Sequence, residues 1–326
     1  MKELLRDFLD FYRNSMLIGF FRKRGKSLVV PHLVYCMERI LENNPDKKEI
    51  RVLDLGTGEG HLLRVINEVA KISGFSKKLK LFGFDFDEEM LDSASKQNNI
   101  VAEFVRIDLR YDTLAEYYDS FDIVVAVNVM HEVYSAYIGE DNPEYPSEKI
   151  GFGKKKIFEL INEIGKTLTK NGSFILYDGL APKMDIQGKN ISFKIINSIL
   201  EHYFDQIIED FSLWPMKYSF DKKKKIYTMK YRDFSWFILT MKYLNTKLWP
   251  FESRQTYQYF SKAEFAEAFD KAGLIRESVA YVSNDLGLWK SMVKLVSKDL
   301  DFPPKSILIV ASKSYIPSEY DYFAAN

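Results

Sequence analysis

Between residues 50 and 180, five short apolar runs (52–55, 81–85, 102–107, 121–129 and 173–177) alternate with stretches of helical periodicity at 61–72, 88–96 and 154–168. Strands separated by helices have to cross over to pair, so this alternation predicts a parallel sheet covered by helices on both faces. The run Ile123-Val124-Val125-Ala126-Val127 is apolar at every position, the pattern of a central strand buried on both sides. The fold class is α/β.

Either side of this region the rhythm changes. Residues 1–46 read as a helical segment of two helices, with Pro31 opening the second and Asn43-Asn44-Pro45 ending it near residue 41. Residues 183–254 hold 15 aromatic side chains, and 13 Lys plus Arg against 8 Asp plus Glu. We read them as a largely helical, aromatic-rich insertion that lids the main domain. A helix at 262–272, closed by Gly273, and strands near 274–282 and 306–312 then restore the alternation. The parts are therefore an N-terminal segment (1–46), a main domain (47–182 and 255–316), the insertion (183–254) and a tail (317–326).

Composition removes several functions. The 46 basic residues balance 46 acidic ones, which argues against a chain built globally to coat nucleic acid. No apolar run approaches the ~18 residues needed to cross a bilayer. Cys36 is the only cysteine, which excludes an intramolecular disulfide and a cysteine-based zinc site. No His, Cys, Asp or Glu cluster has metal-ligand spacing, so no metal is expected. A reducing, cytoplasmic setting is expected.

Chemistry is concentrated at Val52-Leu53-Asp54-Leu55-Gly56-Thr57-Gly58-Glu59-Gly60-His61-Leu62. A buried strand enters a glycine-rich turn and then an amphipathic helix whose N-terminal N–H groups are open to a ligand. The dinucleotide fingerprint G-x-G-x-x-G would place a glycine at position 61, where His61 stands instead. The Gly-Lys-Ser/Thr of a phosphate loop is also missing.

This stretch resembles the first motif of class I S-adenosylmethionine-dependent methyltransferases, and further motifs follow in order. Leu81-Phe82-Gly83-Phe84-Asp85 is similar to their second strand, Val105-Arg106-Ile107-Asp108-Leu109 to the third, and the segment Phe121 to His131 to the fourth. The resemblance implies a Rossmann-like sheet of seven mostly parallel strands, covering residues 50–180 well and 257–312 loosely. It also implies S-adenosyl-L-methionine as cofactor, held by Asp54, Gly56, Thr57, Gly58, Gly60, Asp85, Phe86, Asp108, Leu109 and Asn128. Asp85 would take the ribose hydroxyls, Phe86 would lie against the adenine and Asp108 would accept its amino group. The family's tight final hairpin is interrupted here by residues 283–304, with a helix expected at 288–298.

Residues after the fourth strand face the place where methyl is delivered. His131 is the first candidate for a base and Glu132 the second; Asp178, past the fifth strand, either shares the cleft or is solvated. Residues 134–152, read as a long loop, would help to roof the site. Tyr134, Trp214, Tyr231 and Trp236 are the candidate acceptor contacts, although the insertion's aromatics can equally form its own core. The expected reaction is methyl transfer to an oxygen or nitrogen of a small-molecule or peptide-like acceptor. Two alternatives stand: an RNA or protein methyltransferase using the basic, aromatic stretch 218–232, or a cofactor-binding scaffold without catalysis.

Overall fold

The computed structural model describes residues 24–72, 78–96, 101–139, 146–211, 216–282 and 285–314. Its main sheet has seven strands: β1 (Ile50–Leu55), β2 (Leu79–Asp85), β3 (Ala102–Arg106), β4 (Phe121–Val127), β5 (Leu168–Gly179), β9 (Ile275–Val282) and β11 (Ser306–Ser312). They lie in the order β3-β2-β1-β4-β5-β11-β9. The first five are parallel, while β11 runs antiparallel to both of its neighbours. The expected seven-stranded, mostly parallel α/β sheet is what forms. Residues 283–304 do not prevent β9 and β11 from pairing as the last two strands.

Side chains alternate across the sheet and are buried on both faces. Leu53, Phe84, Val124 and Leu176 pack with α4 (Met130–Gly139), α5 (Pro146–Thr167) and α10 (Lys262–Lys271). Val52, Ile123, Val125 and Ile175 pack with α1 (Arg24–Asn43) and α2 (His61–Ile72). The order of layers is thus helix, sheet, helix, as the apolar run of β4 requires.

Three expectations need correction. Pro31 lies inside α1 instead of opening it. An internal proline costs about 3 kcal/mol, but Val29, Val30, Leu33, Val34 and Met37 are all fully buried beneath the helix. Each such burial contributes roughly 1.5–3 kcal/mol, so packing wins over propensity. The expected first helix lies outside the described residues, as does the tail (317–326).

Residues 134–152 are not a plain loop. α4 runs through 139 and α5 starts at Pro146, with 140–145 outside the described residues.

The insertion is more helix than strand, as expected, but it is not built of helices alone. It contains α6 (Met184–Gln187), α7 (Ser198–Asp210), α8 (Tyr231–Thr240) and α9 (Trp249–Glu252), but also β6 (Asn190–Ile195), β7 (Tyr218–Asp221) and β8 (Ile226–Lys230). With β10 (Val293–Leu295) these strands build a second antiparallel sheet, ordered β10-β6-β8-β7. β10 follows α11 (Leu286–Met292), so the helix expected at 288–298 stops early and feeds a strand into this sheet. The second core therefore joins Phe193, Phe204, Phe234 and Phe237 of the insertion to Trp289 and Val293 from beyond it.

Candidate active site

The parallel strands β1, β2, β4 and β5 all end on one edge of the sheet, and an open cleft of about 1460 Å³ lies along it. Open α/β sheets bind ligands at such carboxyl ends. The glycine turn forms one wall. Gly56 and Thr57 donate their N–H groups to the Phe84 carbonyl (2.8 and 3.0 Å), locking the turn to the end of β2. Gly56 has φ +67°, and a Cβ there would stand 2.3 Å from Val129 Cγ2, so neither conformation nor space admits a side chain. At Gly58 the same test finds nothing within 4 Å, which leaves its backbone open to the cleft.

Asp85 stands beside this turn. Its Oδ2 accepts from Gly58 N (2.7 Å) and its Oδ1 from Asp87 N (3.1 Å). A carboxylate has about four acceptor positions, so two stay open to a ligand. Asp87 caps α3 (Glu88–Ser95) by accepting from Glu89 N and Met90 N. Phe86 is 54% exposed although aromatic, and its ring faces the Arg110 guanidinium at 5.4 Å. Asp108 lines the cleft but is already held by Arg110, whose Nε and Nη2 donate at 2.8 and 2.6 Å. That hydrogen bonding keeps the Asp108 carboxyl below its usual range. It has less capacity for an adenine amino group than the sequence suggests.

Opposite lies a buried dyad. Asp178, at the end of β5, is fully buried; its Oδ2 accepts from Met130 N (2.7 Å) and caps α4. Its Oδ1 accepts from Gly179 N and from His131 Nδ1, both at 2.6 Å. A carboxylate accepts only, so Nδ1 carries the proton and Nε2 is the reactive nitrogen. Nε2 makes no hydrogen bond among the described residues. Burial lowers the His131 pKa, but the charge and hydrogen bond of Asp178 more than reverse this and raise it above 6.5. The Tyr257 ring lies against the imidazole at a tilt of 31°, with ring centroids 4.2 Å apart.

Glu132 is open to solvent within the cleft yet walled by protein. Burial raises its carboxyl pKa, His131 opposes the shift, and Asp178, Glu252 and Asp85 add to it.

Of the residues expected at the site, Gly56, Thr57, Gly58, Asp85, Phe86, Asp108, Leu109, Asn128, His131 and Glu132 line this one cleft. Asp54 and Gly60 do not. Asp54 is fully buried on the β1 face shared with Ile50 and Val52, and Gly60 is buried where the turn enters α2. Three expected acceptor contacts are also elsewhere. Tyr134 is buried against Tyr259, Tyr231 donates its hydroxyl to the Asp301 carbonyl, and Trp236 donates Nε1 to the Gln255 carbonyl (2.8 Å). These rings supply the core and anchors of the lid. Trp214 lies outside the described residues.

Residues 242–257 take the place those aromatics were expected to fill, with Tyr243, Glu252 and Tyr257 in the cleft wall. The Tyr257 hydroxyl donates to Glu252 Oε2 and lies 3.3 Å from the Tyr243 hydroxyl. Burial, with the Glu252 charge second, drives the Tyr257 pKa far upward, so the phenol stays neutral. Gly179 is the missed signal that permits this. A Cβ on it would lie 2.0 Å from the Tyr257 carbonyl oxygen, so only glycine lets the chain cross the end of β5 so closely.

Among the described residues, no group of three or more His, Cys, Asp or Glu is arranged to hold a metal ion, and no helix is long and apolar enough to cross a membrane. Comparison with curated proteins finds no match. Three solved structures show the level of structural likeness. A SAM-dependent methyltransferase from Methanosarcina mazei is 14% identical, covering 84% of this chain and 96% of its own, with a TM-score of 0.40. A putative methyltransferase from Bacillus halodurans is 14% identical over 85% and 98%, at 0.40. An S-adenosylmethionine-dependent methyltransferase from Mesorhizobium loti is 15% identical over 85% and 97%, at 0.42. At such identities the neighbours say nothing about an acceptor. The methyltransferase domain family model, in contrast, matches continuously over residues 32–278, and the chain belongs to that family.

Proposed function

We propose that this methyltransferase moves the methyl group of S-adenosylmethionine to an oxygen or nitrogen of a small-molecule or peptide-like acceptor, with His131 as the base. The observation that carries the reading is the meeting, in one cleft, of an open glycine turn, a half-used Asp85 carboxylate and the His131–Asp178 dyad. The residues fit the cofactor: two free acceptor positions on Asp85 suit two ribose hydroxyls, and the exposed Phe86 face suits a base. Bound there, S-adenosylmethionine supplies a methyl on a sulfonium, which needs no further activation.

What the chain has to do is orient and exclude water. Holding two reacting groups in line is worth roughly 7–11 kcal/mol of barrier. His131 Nε2 takes the acceptor proton as the new bond forms, a contribution of about 10²–10⁴-fold. Asp178 fixes the ring through Nδ1 and stabilises the imidazolium that results. Tyr257 packs against the ring and restricts its movement. Lys222, Lys223, Lys224 and Lys225 stand between β7 and β8 and do not line the cleft, so the basic block gives no support to an RNA acceptor.

Calorimetry with S-adenosylhomocysteine, then incubation of cell extract with methyl-labelled cofactor, tests the reading. Saturable binding and a labelled small product are expected. Binding without label in any fraction favours the scaffold, and label confined to RNA or large proteins replaces the acceptor class.

A further inference from the structure

Beyond His131 the cleft is bordered by Lys242, Tyr243, Asp285 and Lys305, with Tyr177 and Ser306 at the adjoining ends of β5 and β11. None of these residues is among those assigned above to the cofactor. Three separate parts of the chain converge here: the segment after α8, the start of α11 and the lead into β11. Lys305 Nζ donates to Asp285 Oδ2 at 2.6 Å, with both side chains largely covered.

Lys242 stands beside Lys305 and has no carboxylate within ion-pair distance among the described residues. Its ammonium lies over the Tyr243 ring, 4.4 Å from the centroid. The other carboxylate facing it, Glu252, is engaged by the Tyr257 hydroxyl. Two ammonium groups therefore share one directly bonded carboxylate inside a cavity. Burial lowers the Lys242 pKa to about 8, and the charge of Lys305 pushes it the same way. Asp285 and Glu252 favour its charge from a distance, but neither bonds it, so the half-covered ammonium keeps N–H donors open to a ligand.

We infer that Lys242 and Lys305 form an oxyanion subsite for the acceptor, so that the molecule methylated carries a carboxylate or phosphate group. This rests on the proposed function above and narrows its substrate class. The subsite is tied to the reaction centre through contacts. Tyr243 follows Lys242 directly, its hydroxyl meets that of Tyr257, and the Tyr257 ring lies tilted against His131. An acceptor anchored by its oxyanion at Lys242 would present its nucleophile toward His131. The oxyanion takes the donors of Lys242 that no carboxylate bonds, and the Lys305–Asp285 pair keeps the second ammonium in place.

The test uses the full chain saturated with S-adenosylhomocysteine, titrated calorimetrically at constant ionic strength with benzoate, inorganic phosphate and neutral benzamide. Benzoate or phosphate should bind saturably and benzamide should not. Lys242→Met should weaken that binding by at least about tenfold, the loss of one charge-assisted hydrogen bond, whereas Lys242→Arg should largely retain it. S-adenosylhomocysteine affinity should be unchanged in both variants. The inference is overturned if neither oxyanion binds, if Lys242→Met binds as the parent does, or if benzamide matches benzoate. Failure of S-adenosylhomocysteine to bind the parent chain would instead remove the proposed function, and the subsite with it.

Discussion

Replacing Gly179 by alanine separates the two halves of the cleft. The added Cβ would start 2.0 Å from the Tyr257 carbonyl oxygen, and ordinary contact begins at 3.4 Å, so the 257 segment has to retreat by more than an ångström. That segment is held on other sides. Thr256 N donates to Ser135 Oγ (2.9 Å), Trp236 Nε1 to the Gln255 carbonyl, and Ala181 N to the Phe260 carbonyl (2.8 Å). Forcing a methyl into a packed site costs roughly 1–3 kcal/mol. The retreat carries Tyr257 off the His131 ring, and a displacement of about 1 Å at reacting groups can cost 10²-fold in rate. The glycine turn and Asp85 lie on β1 and β2, away from β5, so the cofactor wall stays put. Paired measurements decide the matter: S-adenosylhomocysteine affinity by calorimetry, and methyl transfer from labelled cofactor into extract. Expected is near-parental affinity with turnover lowered by one to two orders of magnitude. Parental turnover, or affinity lost in step with turnover, would refute the idea that Gly179 serves the acceptor side alone.

Asp85→Ala removes two charge-assisted hydrogen bonds to the nucleoside, about 1.5–3 kcal/mol each, and should weaken S-adenosylhomocysteine binding by well over tenfold in calorimetry; unchanged affinity moves the ribose site. His131→Gln should keep that affinity and lose about 10²-fold or more in turnover, and intact turnover ends its role as base. Because the folded His131 pKa is raised above 6.5, activity should fall on the acid side at a pH higher than an ordinary imidazole would give. Asp178→Asn removes the cause of that rise and leaves burial, so the acid limb should shift to lower pH. The raised value also bears on stability. Protonated His131 stabilises the fold fully below its ordinary value of 6.5, and this contribution fades as pH climbs through the folded value. Chemical denaturation of parent and His131→Gln chains across that window should therefore converge toward high pH.

The cofactor half of the cleft was legible because several local signals agreed there. Strand, glycine turn and helix follow within eleven residues, and each of Gly56, Asp85, Asp108 and Asn128 stands at a strand end. The acceptor half was not. Asp178 is one acid after a strand, and nothing in sequence distinguishes a cap bonded by Met130 N, His131 N, His131 Nδ1 and Gly179 N from a solvated turn. Tyr231 and Trp236 sit in α8, whose residues are nearly all buried, so richness in aromatics marked a core and not a pocket wall. The second sheet escaped notice because β7 and β8 are four and five residues long, and its β10 comes from far along the chain. Local periodicity carries no trace of a pairing across a hundred residues.

That last pairing has a further consequence. The lid is not a cassette that can be cut out at 183 and 254, because deletion would strip Trp289 and β10 of the rings they pack against. During synthesis, the same arrangement delays the acceptor side until residue 295 has left the ribosome, long after the glycine turn can form. A chain stalled before that point would hold half a binding site and no workshop in which to use it.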